Sequence, residues 1–169
     1  MAKFLQQVGG RLKEAVSLVT SAGATDADKL VSTNGQGKLD QSLFPTGLGA
    51  ETESLPATEA LNGGDFVNIY SASGTASVRK ADATAEGKEA NGFVLDSAAS
   101  GASVTVYREG LNNALSGLSP GTDYFLSAAN PGQPTDTPPS STGNVVQYIG
   151  RSSTDANISF EPGQPITLA

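Results

Sequence analysis

Cysteine, histidine and tryptophan are absent from this chain of 169 residues, and methionine occurs once. Without Cys or His there is no disulfide framework, no thiol chemistry, no zinc site of the usual ligands and no Ser-His-Asp triad. The redox compartment therefore cannot be read from cysteines. Aromatic residues are 6% of the chain and charged residues only 16%. No run of about 18 apolar residues occurs, so no transmembrane helix is expected. The opening MAKFLQQVGGRLKEAV carries Arg11, Lys13 and Glu14 where a signal peptide needs an unbroken apolar stretch, so use without export is expected. What the chain has in quantity is small and turn-forming residues, with 20 Gly and 9 Pro. Its length suits one ordinary domain, or a smaller domain with an extended arm.

The formal net charge of −7 argues against binding through nucleic-acid phosphates. That charge is unevenly spread. Residues 1–40 hold five bases and four acids, whereas residues 41–169 hold five bases and thirteen acids. A near-neutral front can lie on an acidic or mixed partner, while an acidic body stays soluble and repels its own kind.

Along the chain, Phe4, Val8, Leu12, Val16 and Val19 recur at helical spacing, interrupted by Gly9-Gly10. The spacing predicts a short or frayed helix through about Leu12, followed by an extended segment. Asn34-Gly35 between short extended runs predicts a hairpin within residues 28–40. Ser42-Leu43-Phe44-Pro45 closes that unit, and residues 46–58, with Leu48 and Leu55 the only large apolar side chains, read as a linker or irregular arm. From Glu59 onward short strands recur. They are expected at 66–70, 76–81, 92–96, 103–108, 124–127, 144–150 and 157–161, with a last edge strand at 165–168. Residues 82–89 have room for one helical turn, 111–118 read as a loop, and the prolines of 130–143 stiffen a long loop.

This pattern predicts an all-β chain: a small antiparallel β-sandwich or barrel over 59–169, preceded by an extended N-terminal arm, hairpin and linker over 1–58. The arm holds too little apolar mass for a core of its own and is expected to gain burial against a neighbour. Phe4, Leu12, Val16, Leu30, Val31, Leu39, Leu43 and Phe44 are the expected anchors, within a contact span of 4–48.

The residues that could carry chemistry find simpler roles. Asp65, Asp82, Asp96 and Asp123 suit turns at least as well as an acid pair for glycoside hydrolysis. Asp26-Ala27-Asp28 lacks the rest of a calcium loop. Gly35-Gln36-Gly37-Lys38 lacks the spacing and the Ser or Thr of a phosphate loop. Gly117 to Tyr124 has the form of a sandwich corner, in which Tyr124 buries its ring and bonds its hydroxyl nearby. Tyr70, Tyr107, Tyr124 and Tyr148 sit in or beside strands, where core packing competes with a sugar-binding face. No catalytic residue, cofactor or metal is assigned.

Several phrases resemble a known group. The segment from Ser21 to Val31 followed by Gly37-Lys38-Leu39-Asp40-Gln41-Ser42-Leu43-Phe44-Pro45 is similar to the N-terminal region of head decoration (cement) proteins and head fibres of tailed bacteriophages. Gly64-Asp65-Phe66-Val67-Asn68-Ile69-Tyr70, Val78-Arg79-Lys80-Ala81-Asp82, Ala90-Asn91-Gly92-Phe93-Val94, Leu118 to Ser127 and Val146 to Gly150 resemble the β-rich body of that group. The likeness covers most of 21–168 and rests on turn-and-strand phrases. It implies a non-enzymatic structural protein on the outer surface of the capsid, assembled in the host cytoplasm. It also implies a homotrimer whose N-terminal region lies on the major capsid protein beneath a β-tulip or sandwich body. No nucleic-acid or membrane contact is expected. The alternative is a head or tail fibre that reads a host surface glycan or protein through loop 130–143 and the Asn112-Asn113 loop.

Overall fold

The computed structural model describes residues 3–44 and 51–169. Pro45 and Leu48, from the expected closing turn and docking span, lie outside the described residues. The chain divides into two compact units, Met1–Gly49 and Ala50–Ala169.

The first unit opens with a β-hairpin, β1 (Lys3–Val8) and β2 (Arg11–Val16), in place of the expected helix. The reason lies at its centre. Gly9 and Gly10 both take positive φ, 59° and 76°, and form a two-residue loop. Two adjacent residues in that region match the twist of a hairpin, whereas in a helix the same pair would cost about 2 kcal/mol against alanine. The register pairs Phe4 with Ala15, Gln6 with Lys13 and Val8 with Arg11. Opposite residues share a face, so Phe4, Val8, Arg11 and Lys13 lie on one side, and Leu5, Leu12, Glu14 and Val16 on the other.

The rest of the unit is held by local hydrogen bonds. A single 3-10 turn, Ala24–Asp26, places the Asp26 carboxylate to accept from the Ala22 N–H and from the Lys29 ammonium, both at 2.6 Å. A turn forms at the expected place but over Gly35-Gln36, with Gly37 and not the Asn34-Gly35 pair at positive φ (73°); Asn34 Oδ1 accepts from the N–H groups of Gln36 and Lys38. Its flanks do not become a strand pair. Val31 instead bridges Leu18 in parallel, with Leu18 N–H donating to Leu30 O and Ser32 N–H to Leu18 O, each at 2.8 Å. A second 3-10 turn, Gln41–Leu43, follows Asp40, whose carboxylate accepts from Ser42.

The second unit is all-β and antiparallel within its sheets. Its strands are β3 (Thr52–Pro56), β4 (Phe66–Ala72), β5 (Thr75–Lys80), β6 (Gly92–Val94), β7 (Ser103–Tyr107) and β8 (Gly110–Asn112). They continue with β9 (Asp123–Leu126), β10 (Pro134–Thr135), β11 (Val145–Val146), β12 (Tyr148–Thr154), β13 (Asn157–Phe160) and β14 (Ile166–Thr167). Two five-stranded sheets run in the orders β3-β7-β6-β4-β5 and β10-β9-β12-β13-β8, beside a two-stranded β11-β14. Residues 52–56, expected as linker, are thus an edge strand: Leu55 is buried and pairs with Val104. Residues 82–89 form turns and no helix, and the segment after Glu109 starts as β8 before it becomes a loop.

Alternation along the strands builds two apolar clusters. Phe66 and Phe93 of the first sheet meet Tyr124, Leu126, Ile149, Ile158 and Phe160 of the second. The neighbouring residues Val67 and Val94 turn to the opposite face and pack with Leu55, Leu61, Val78, Val104 and Val106. Because both faces are covered where β4 and β6 meet, apolar residues stand side by side there, as Phe66-Val67 and Phe93-Val94. Phe160 holds the first cluster together, with ring centroids 5.6 Å from Phe66 and 5.7 Å from Phe93. Each fully buried Phe contributes about 1.5–3 kcal/mol by removal from water.

Polar groups lock the corners. Tyr124 is buried as expected, and its hydroxyl accepts the Ser119 N–H at 2.8 Å. Asp65 is fully buried at the start of β4. Gln133 Nε2 donates to its Oδ1 at 2.6 Å, the Asn62 N–H to its Oδ2 at 2.9 Å, and the Lys80 ammonium lies 3.4 Å away. Gly150 sits at a register shift in β12, where a Cβ would come within 2.0 Å of Ser159 O, so only glycine fits.

Candidate docking surface

Among the described residues, the first unit contributes none of the buried apolar side chains, all of which lie between Leu55 and Phe160. It contributes most of the exposed large ones. Among the described residues, Leu5 and Leu12 are 72% and 73% exposed, and Val8, Val16, Leu30, Val31, Leu39 and Phe44 range from 44% to 55%. In the second unit only Leu111 and Ile166 join them. Single exposed leucines need no explanation, but eight within some forty residues and no core beneath them do.

The eight expected anchors fall into three groups. Phe4, Val16 and Leu30 are brought together: they line an open cavity of about 510 Å³ with Gln6, Ala15, Asp28 and Lys29. Leu12 is on the other face of the hairpin from Phe4, so the two do not act as one stripe. Val31, Leu39 and Phe44 are exposed along the irregular segment, and Leu43 is half-buried beside Phe44. Leu5 belongs with Leu12 and was not singled out by helical spacing. A reading of Gly9-Gly10 as a hairpin loop would have found it, because residues 5 and 14 then face each other and 5 and 12 lie diagonally on one side.

The electrostatics of this unit are local. Lys3 and Glu14 pair across the hairpin at 2.5 Å, both well exposed. The Lys29 ammonium, then the Ala22 N–H, hold the Asp26 carboxyl below its ordinary value. The Ser42 hydroxyl and N–H do the same for Asp40. Asp26 is therefore occupied as a loop-capping carboxylate.

The other sequence candidates are structural in place. Asp65 is held by Gln133, Asn62 and Lys80, and Asp123 by Arg151 at 2.8 Å. Burial works against the charged form of Asp82, but Thr84 and Lys88 outweigh it and lower its pKa. Asp96 is exposed. Each of the first three carboxylates has its own partners and none is shared. Of the tyrosines, Tyr107 stacks on Phe93, Tyr70 carries the Arg79 guanidinium 4.2 Å above its ring, and Tyr148 meets Phe125 edge-on. They form no common face. Asn112, expected on a reading loop, is fully buried, and its amide donates to Gly64 O at 2.9 Å. A fully engaged buried amide cannot read a ligand.

No family model, curated protein or solved structure matches this chain.

Proposed function

We propose that this chain is a non-enzymatic structural protein of a tailed-bacteriophage head. Its N-terminal unit docks on the major capsid protein and bridges neighbouring capsomers, so that it decorates and cements the outer surface of the DNA-filled shell. One observation carries the reading: among the described residues, the first unit exposes eight large apolar side chains and owns none of the buried ones. Such a unit lacks a core and gains burial only against another surface. A binder that buries this area only on the assembled shell shifts the equilibrium toward assembly. We read the two five-stranded sheets as a sandwich of the β-tulip kind, held clear of the shell, and the assembly as a homotrimer. Threefold repetition multiplies modest contacts through effective concentration. The acidic body keeps such projecting copies apart.

The test uses heads stripped of the protein and the full-length chain. Wild-type protein is expected to bind in hundreds of copies per head and to raise the temperature at which heads release DNA. A variant with Leu30→Ser, Val31→Ser and Leu39→Ser is expected to leave heads largely bare. Undiminished occupancy by the triple variant, or a handful of copies confined to one vertex or to the tail, overturns the reading.

A further inference from the structure

The free edge of the second five-stranded sheet has features that fit the hairpin of another copy. Strand β8 ends this sheet; its inner edge pairs with β13, and no strand covers its outer edge among the described residues. The register sets Ser159 opposite Leu111 and Phe160 opposite Gly110. Glu109 lies in the bend just before β8, and Glu161 follows β13 directly. Phe160 and Ile158 point into the core. Leu111 and Ser159 therefore share the outer face. Leu111 is 51% exposed, and Glu109 and Glu161 line one open depression of about 410 Å³ with Gly110. Two like charges gathered on one depression repel each other and favour a cationic partner. Neither glutamate has a cationic partner among the described residues, and Arg151, on the same face, is committed to Asp123. An uncovered edge, an exposed leucine and a repelling carboxylate pair thus coincide.

The hairpin of the first unit is the complement. Arg11 and Lys13 lie on one face near its tip and have no carboxylate partner among the described residues, whereas Lys3 is paired with Glu14. Val8, exposed, stands opposite Arg11 on that face. A two-stranded hairpin alone is marginal in water and gains from a sheet to join. We infer that the hairpin of one copy docks on the β8 edge of a second copy, with Arg11 and Lys13 against Glu109 and Glu161, and Val8 against Leu111. The inference deepens the proposed function, since it rests on the first unit binding outside its own fold, and it names a second copy of this chain as one of the surfaces bound. An edge so covered is also protected from indiscriminate pairing.

Charge reversal in the full-length chain tests this by sedimentation at low salt. Arg11→Glu with Lys13→Glu is expected to weaken self-association at least about tenfold, as is Glu109→Lys with Glu161→Lys. Mixing the two variants is expected to restore association, because the reversed hairpin of one meets the reversed edge of the other. Restoration on mixing requires the contact to be between chains. If each variant associates like wild type, if the mixture recovers nothing, or if wild type is monomeric at high concentration, the inference is overturned. A variant that loses self-association yet still saturates stripped heads through Leu30, Val31 and Leu39 leaves the head-binding reading intact. Failure of the wild-type chain to bind stripped heads, with self-association as expected, overturns that reading alone.

Discussion

Replacing Leu5 and Leu12 together by serine separates a surface waiting for a partner from a surface already covered. Both side chains are nearly three-quarters exposed, at 72% and 73%. Full burial of a leucine is worth about 1.5–3 kcal/mol. Roughly a quarter of that is realised in the free chain, which leaves about 1–2 kcal/mol per leucine to be gained on docking. The double substitution should therefore raise the dissociation constant for the docked state by about 30- to 1,000-fold, since about 1.4 kcal/mol is a factor of ten. In the dilute free protein it should do little. Surface substitutions cost within about 0.5 kcal/mol each. The assay is denaturant unfolding followed by tyrosine fluorescence, beside a binding isotherm on stripped heads. There is no tryptophan, and Tyr70, Tyr107, Tyr124 and Tyr148 all lie in the second unit, so the optical signal reports that unit, and the first unit is followed by hydrogen exchange of the Leu18 and Ser32 amides, which donate within it. An unchanged midpoint with weakened binding is the expected pair of results. A fall of more than about 2 kcal/mol in the stability of the free chain would mean that both leucines are already packed, and the docking argument would fail.

Two further outcomes follow from the polar contacts. Asp65→Ala should cost about 3–5 kcal/mol, because it leaves Lys80 and Gln133 facing an empty buried site, whereas Asp65→Asn, which keeps an acceptor for the Asn62 N–H, should cost less. Chemical denaturation of both variants checks the order, and equal losses would refute the contribution of the hydrogen bond from the Asn62 N–H. The carboxyls of Asp26, Asp40 and Asp82 are all held below the ordinary value of 3.8, so the stability they contribute is present above that pH and lost as pH falls through the lowered values. The amide protons of Ala22, Ser42 and Thr84, which donate to them, should therefore titrate by NMR with midpoints below 3.8; midpoints at or above it would show that these caps do not form.

The body was more legible in the sequence than the arm, for reasons visible in single residues. Ser103 to Tyr107 alternates because only one side of β7 meets the valine cluster until Tyr107 turns to Phe93. The corner at Tyr124 could be read because its chemistry is local: a ring to bury and a hydroxyl five residues from its donor. Strand β3 was hidden because Thr52-Glu53-Ser54 carries no apolar signal; an edge strand needs only Leu55 inward and a ladder supplied by β7. In the arm, Phe4, Val8, Leu12 and Val16 form one stripe at helical spacing, but the hairpin register adds to nineteen, an odd number, and so divides them between two faces. The side of each residue was therefore lost while its exposure was not. An apolar surplus is read from composition and survives a local misreading, whereas the direction each side chain takes depends on a turn that two glycines decide. That asymmetry is why the need for a partner could be argued from the residues alone. The face offered to it became definable only once Leu5 and Leu12 were set diagonally across one side of the hairpin, and Arg11 and Lys13 on the other.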